Sequence, residues 1–241
     1  MNKPQLTSVR IVLVEPQGDL NLGSVARIMK NMGLTQLVLV NPKCDRYSDN
    51  AKLMAVHAMD ILENAREVDN IPQALVGCTR AIATTSRLRT LSEKLEHPRI
   101  CLPWLVETES PTALIFGSED RGLSNQELNY AHRVIGIPSN PEYPSLNLAQ
   151  AVAICCYELS QCILTSSIDT LGQNQTATLD SLEGYYQHLE MILLKIGYIY
   201  PHTANSRMEK FRRLFNRANL TDEELAMLRG ILRQIEWKIN S

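Results

Sequence analysis

The chain has almost no net charge: 24 Lys and Arg against 26 Asp and Glu leave −2 over 241 residues. A strongly basic chain, the simplest sign of a nucleic-acid binder, is thereby excluded, and any basic patch has to be local. Long apolar runs are also missing. The most hydrophobic stretch, near 146–165, is interrupted by Gln150, Glu158 and Gln161, so no membrane span is expected. The opening, MNKPQLTSVRIVLVE, is too polar, and its apolar run too short, for a signal peptide. The six cysteines (Cys44, Cys78, Cys101, Cys155, Cys156 and Cys162) form no C-x-x-C pair and have no accompanying His spacing, so no metal site is expected. Cys155 and Cys162 lie seven apart in a helical pattern and read as buried apolar fillers. A reduced, cytoplasmic compartment fits. Nor is there a G-x-G-x-x-G, a G-x-x-x-x-G-K-[ST], a G-x-S-x-G or an H-E-x-x-H. The usual dinucleotide, nucleotide, hydrolase and zinc-protease signatures are all absent.

What is present is an ordinary globular composition, 44% hydrophobic and 21% charged, in a chain long enough to bury a full core. Short continuous apolar runs alternate with longer helical patterns. VRIVLV (9–14), LVLV (37–40), AIATT (81–85), TALIF (112–116) and VIGIP (134–138) read as buried strands. NLGSVARIMKNMG (21–33) reads as a helix, with Val25, Ile28, Met29 and Met32 on its core face and Gly33 at its carboxyl-terminal cap. AKLMAVHAMDILENA (51–65) reads as a second long helix, and shorter candidates lie near 71–76, 100–107 and 124–131. Continuous strands separated by helices predict an α/β domain, a parallel sheet with helices on both faces.

SSIDTLGQNQTAT (166–178) is small and polar and reads as a linker. The chain thus divides into an α/β domain at 1–165, a linker at 166–179 and a helical extension at 180–241. The extension has three helical patterns, 180–196, 205–218 and 221–238, and no strand pattern. It carries 9 basic against 8 acidic residues, whereas residues 1–179 carry 15 against 18. Five of its cations, Arg207, Lys210, Arg212, Arg213 and Arg217, fall in the run RMEKFRRLFNR, opposed only by Glu209.

Open parallel sheets bind ligands at the carboxyl ends of their strands. Four loops expected there have unusual compositions: EPQGDLNLGS (15–24), TSRLRT (85–90), GSEDRGLS (117–124) and SNPEYPSLN (139–147). Gly117 and Gly122 would let backbone approach a ligand, and Ser145–Asn147 opens a helix with free N–H donors. Each residue also has a plain structural explanation. Asn147 with Gln150 resembles a capping box, Ser145 suits a turn after Pro144, and the two glycines can simply shape a turn. Arg27 shares the polar face of its helix with Ser24 and Asn31, where a solvated charge is ordinary. Arg87, Arg89 and Glu119 can solvate their loops, and the 207–217 run can be a solvated helix face.

The order of these segments carries more than any one of them. NLGSVARIMKNMG, then LIFGSEDRGLS, then IPSNPEYPSLNLAQAVAI resemble the three ordered motifs of SPOUT-class RNA methyltransferases of the TrmH-like family. The likeness runs on through the TSRLRT loop and the helical tail. The tail and the PEY-x-SLNLA wording resemble the members that methylate the ribose 2′-oxygen of cytidine or uridine 32 in the tRNA anticodon loop. The resemblance implies a carboxyl-terminal trefoil knot, a homodimer with its active site across the interface, and S-adenosylmethionine as donor, leaving as S-adenosylhomocysteine. No metal or membrane is implied. Carried over residue by residue, it assigns the cofactor to Thr85, Ser86, Arg87, Gly117, Ile137, Pro144, Ser145 and Leu146. It assigns catalysis to Arg27, Ser145, Asn21, Glu119 and Asn147. RNA contact falls to Arg27, Arg89 and Tyr143, and the basic run is expected to reach tRNA phosphates. Two departures stand out: TSRLRT is one residue shorter than the family form, and Pro144 replaces a Ser, removing a hydroxyl donor. The alternatives are a SPOUT enzyme acting at the wobble position or on ribosomal RNA, and a noncatalytic RNA-binding protein of the same fold.

Overall fold

The computed structural model describes residues 6–86, 95–165 and 176–240. After a short turn of 3-10 helix, β1 (Val9–Val14) leads into α1 (Asp19–Asn31) and β2 (Gln36–Val40). Then come α2 (Asp49–Ala55), α3 (Met59–Glu63), β3 (Arg66–Val68), α4 (Ile71–Leu75) and β4 (Arg80–Thr84). The domain continues through α5 (Pro98–Cys101), α6 (Pro103–Val106), β5 (Thr112–Phe116), α7 (Asn125–Leu128), β6 (Arg133–Ile135) and α8 (Leu148–Thr165). Three long helices follow: α9 (Leu179–Lys195), α10 (Ala204–Ala218) and α11 (Asp222–Asn240).

The six strands form one parallel sheet in the order β3-β2-β1-β5-β4-β6. Alternation along each strand sorts the side chains onto two faces. Ile11, Leu13, Leu37, Leu39, Ile82, Leu114 and Phe116 join the core with α1, α2, α3, α5, α6 and α8. Val12, Val14, Val38, Val40, Ala81, Ala83, Ala113 and Ile115 join a second core with α4 and α7, and residues of α9, α10 and α11 are continuous with it. Both faces are therefore dry, which is why the strands read as unbroken apolar runs. The extension is docked through backbone as well: Leu179 N donates to Cys78 O at 2.6 Å, and Gly77 N to Asp180 Oδ1 at 2.9 Å.

Several expectations are corrected. The helix expected over 51–65 is two, α2 and α3, broken where Val56 takes φ +54°. Ala51, Ala55, Ala58, Leu62 and Ala65 would share one face of a straight helix, so periodicity is indifferent to the break. Likewise the helix over 100–107 is split into α5 and α6 at Pro103, and VIGIP contributes only Val134 and Ile135, to a strand that begins at Arg133. β3 was not anticipated, because Arg66 and Glu67 are exposed at the sheet edge and leave no apolar run to read. Most of the expected linker, 166–175, lies outside the described residues. Its end is paired, with Ala177 buried and its N–H donating to Leu220 O at 2.8 Å.

Candidate active site

Two strands, β1 and β5, lie side by side at the point where the order of connection reverses, and such a point opens a crevice at the carboxyl ends. An open cavity lies one strand over from it, at the carboxyl ends of β4 and β5. Its floor and walls are apolar: Phe116, Ile137, Leu146, Leu148 and Ala151. Thr85, Ser86, Glu119, Arg121 and Ser145 add polar side chains to the lining, and Gly117, Gly122 and Pro144 complete it. The strand ends β4 and β5 and the loops after β5 and β6 are thus brought together around one space. Of the cofactor residues expected from sequence, Thr85, Ser86, Gly117, Ile137, Pro144, Ser145 and Leu146 line it. Arg87 and Arg89 lie outside the described residues.

The loop after β5 needs both its glycines. A Cβ on Gly117 would stand 2.2 Å from Gly122 C and 2.3 Å from Leu123 N, and Gly122 itself has φ +67°. The loop closes with Gly122 N donating to Ser118 O at 2.8 Å, and Ser118 Oγ donates to Asp120 Oδ1 at 2.6 Å, holding that carboxyl below its usual range.

Glu119 reaches from this loop to the start of α1. Its Oε2 accepts from Gln17 N at 2.9 Å, and its Oε1 accepts from Gly18 N at 3.0 Å and Asn21 Nδ2 at 3.0 Å. The N-cap, Gly18, has no side chain to bond the free N–H groups of the first turn, and Glu119 instead holds the two N–H groups just ahead of α1 and places a negative charge at its start. Asn21 Oδ1 in turn accepts from Asn147 Nδ2 at 2.9 Å. Asn147 also acts as the cap its sequence suggested, its Oδ1 accepting from Ala149 N at 2.9 Å and Gln150 N at 3.4 Å. A continuous polar chain, Asn147 to Asn21 to Glu119, therefore ties together the three segments that had seemed merely ordered in sequence.

Arg121, Gln17 and Ser118 were not anticipated. Arg121 donates to both oxygens of Glu127 at 2.7 and 2.9 Å and to Glu15 Oε2 at 2.6 Å, and these bonds raise its pKa. Burial pushes the Glu127 carboxyl up, but Arg121 and the Ser124 capping box outweigh it and leave it low. Gln17 Nε2 donates to Ser118 Oγ at 3.1 Å. The S-x-x-E spacing of Ser124 and Glu127 was the available signal for this clamp.

Arg27 sits apart. It is exposed on α1, does not line the cavity, and makes no hydrogen bond or ion pair among the described residues. Six residues of helix carry it about 9 Å along the axis and about 120° around it from Asn21. Tyr143 is 79% exposed, just beyond the cavity rim. In the extension, Arg207, Lys210, Arg213 and Arg217 are exposed. Arg212 is not. It donates to Glu183 at 2.6 and 2.9 Å and lies over the rings of Tyr186 and Tyr130 at 4.5 and 5.4 Å. Burial works against its charge, and Glu183 outweighs it. The expected phosphate contact is withdrawn from this residue, whose turn of α10 faces inward. Among the described residues no group of His, Cys, Asp or Glu could hold a metal ion, and no helix is long and apolar enough to cross a membrane. All six cysteines are unbridged, and burial pushes the Cys44, Cys101 and Cys156 thiols up to about 12.

Comparison with known proteins agrees with this layout. Residues 8–157 match the SpoU rRNA Methylase family, and residues 180–241 match the tRNA methyltransferase TrmJ C-terminal domain. A tRNA (cytidine/uridine-2′-O-)-methyltransferase TrmJ from Cronobacter sakazakii is 44% identical, covering 98% of each chain. The crystal structure of TrmJ from Z. mobilis ZM4 is 33% identical with a TM-score of 0.84, over 94% of this chain and 98% of that one. A shorter neighbour, solved for the 2-OH methylation of C/U34 on tRNA, is 25% identical with a TM-score of 0.52; the match takes in 96% of it and only 65% of this chain. Along both its α/β part and its helical extension, the chain belongs to the SpoU methylase family, in the TrmJ group.

Proposed function

We propose that the chain transfers a methyl group from S-adenosylmethionine to the ribose 2′-oxygen of tRNA, at cytidine or uridine 32. The observation that carries this is the Asn147–Asn21–Glu119 chain, which assembles three motifs of the family beside one cavity. Near-full-length identity to proteins bearing the TrmJ name supports tRNA as substrate. The neighbour that acts at C/U34 matches too little of this chain to account for α9–α11, and that favours position 32 over the wobble position. The unbridged thiols suit a reducing, cytoplasmic setting.

The cavity fits the cofactor in kind. Ile137, Leu146 and Leu148 offer apolar cover for an adenine ring, while Thr85, Ser86 and Ser145 offer hydroxyls and the two glycines offer close backbone. When bound, the sulfonium supplies an electrophilic methyl carbon and departs as a neutral thioether. In-line displacement depends chiefly on alignment, which is what a rigid rim can supply. Ser145 accepts a hydrogen bond from the attacking hydroxyl and fixes its direction, and the hydroxyl proton passes to water as the C–O bond forms. Arg27 grips the adjacent phosphate with two N–H groups and stabilises charge developing on oxygen; a guanidinium has no lone pair to act as base. Glu119, Asn21 and Asn147 position α1 and α8 rather than touching the reacting atoms.

Because Arg27 points about 120° away from Asn21, the same subunit does not bring it to its own cavity. This supports a composite site in a homodimer. Leu20, Ile154 and Tyr157 are exposed on the packed pair α1 and α8 and give a second copy an apolar surface to cover. The trefoil knot of the class belongs to the same reading.

The test is transfer of labelled methyl from S-adenosylmethionine to unmodified tRNA transcripts, with 2′-deoxy substitution at residue 32 or 34. Loss of labelling only with 2′-deoxy-32 supports the proposal. Loss only with 2′-deoxy-34 would move the activity to the wobble position, and no labelling of any tRNA would remove tRNA as substrate.

A further inference from the structure

Between α9 and α10 the chain reads IGYIYPHT (196–203), and two of its tyrosines, Tyr198 and Tyr200, are 60% and 58% exposed. Their backbone is nonetheless fixed. Ile199 between them is buried, the N–H groups of Tyr198 and Ile199 both donate to Leu193 O, and Tyr200 N donates to Thr203 Oγ1 at 3.2 Å. The rings are held too. Tyr200 stacks on His202 at 5.9 Å and 12° between planes, and Tyr198 leans on Phe211 of α10 at 6.5 Å. Each tyrosine keeps an outer side open to solvent. Folding gains little from two large rings left in water on a rigid turn, whereas a flat ligand would lose little entropy in meeting them.

One turn further on, Arg207 N donates to Thr203 O at 3.1 Å, so the exposed side of α10 starts at this shelf. Arg207, Lys210 and Arg217 lie within about 80° of one another around the helix. None of the three has an ion pair among the described residues, in contrast to Arg212 on the inner side. Aromatic faces beside a row of unneutralised cations match a polyanion with exposed flat groups. A duplex hides its base faces; an unpaired stretch of RNA presents them.

We propose that this shelf and stripe form one RNA-binding surface, on which unpaired bases stack against Tyr198 and Tyr200 while α10 holds their phosphates. The proposal rests on the RNA reading above, and it adds that the extension selects unpaired nucleotides through ring stacking. The experiment measures binding of full-length protein to an unmodified tRNA transcript over a series of salt concentrations. Tyr198→Leu with Tyr200→Leu weakens binding by about 30-fold or more, since two stacked bases are lost together. The slope of log affinity on log salt stays that of the wild type, since no counterion contact is lost. Phe at both positions restores affinity, and Arg207→Ala with Lys210→Ala instead lowers the slope by about 2. Because both rings are exposed, the thermal midpoint is expected to be unchanged and serves as the folding control. Wild-type affinity in the Leu variant overturns the proposal and leaves the RNA reading intact, returning the two rings to a protein-facing surface. Failure of the wild type to bind any tRNA overturns both.

Discussion

Glu119→Ala tests whether the start of α1 is built by a carboxylate from another loop. Three donors lose their acceptor at once: Gln17 N, Gly18 N and Asn21 Nδ2. The site is only half buried, so water replaces part of what is lost. Loss of a helix-capping acceptor costs about 0.5–2 kcal/mol, and with Asn21 also released about 1–2 kcal/mol is expected. For a chain of this size that lowers the thermal midpoint by roughly 2–8 °C. The effect on turnover is larger. Asn21 is the link to Asn147, and slack of about 1 Å in positioning groups costs on the order of 100-fold. Glu119→Gln should do nearly as much harm, because its amide nitrogen would face an N–H group that now meets an oxygen. Thermal denaturation and methyl transfer to tRNA measure both effects. Wild-type midpoint and turnover in that variant would make Glu119 only a solvated loop charge.

Other consequences follow from other parts of the structure. Arg27→Lys keeps the charge but not the fork, so it loses most activity while cofactor affinity by calorimetry is unchanged; near-normal turnover would count against the bidentate role. Gly117→Ala drives a Cβ to within 2.3 Å of backbone on Gly122 and Leu123, so cofactor binding is abolished or nearly so. Burial, with a smaller push from Arg80, lowers the pKa of His132 to about 4. Above about pH 6.5 the folded and unfolded states both hold it neutral; between there and pH 4 only the unfolded state takes the proton. Stability thus falls with pH by up to about 1.4 kcal/mol per unit across that window, roughly 3 kcal/mol in all, and chemical denaturation of His132→Gln shows a flatter dependence. Ile154→Glu with Tyr157→Glu yields a monomer by light scattering and loses activity with the subunit still folded.

Much of this was legible in the sequence, for identifiable reasons. The five apolar strands were readable because a sheet covered on both faces leaves no polar alternation to confuse the period. β3 was not, since an edge strand with Arg66 and Glu67 in solvent has no pattern of its own. The Val56 break escaped because the buried residues of α2 and α3 fit one straight helix as well as two. The cavity residues came from the family resemblance, not from periodicity. What no local pattern contained was partnership at a distance: Glu119 lies about 100 residues from the N–H groups it accepts, and Arg212 is 29 from Glu183. A basic run does not say which of its cations has already been spent. Only the fold separates Arg212, between two tyrosines, from Arg207 and Lys210 in solvent.

The proposed methyl transfer goes to one ribose oxygen of tRNA. Its most direct test is nuclease digestion and mass spectrometry of tRNA transcripts after incubation with the purified protein and S-adenosylmethionine. A single added methyl is expected, carried on the 2′-oxygen of the pyrimidine at position 32. A methyl found on a base, or on a ribose elsewhere in the anticodon loop, would contradict it.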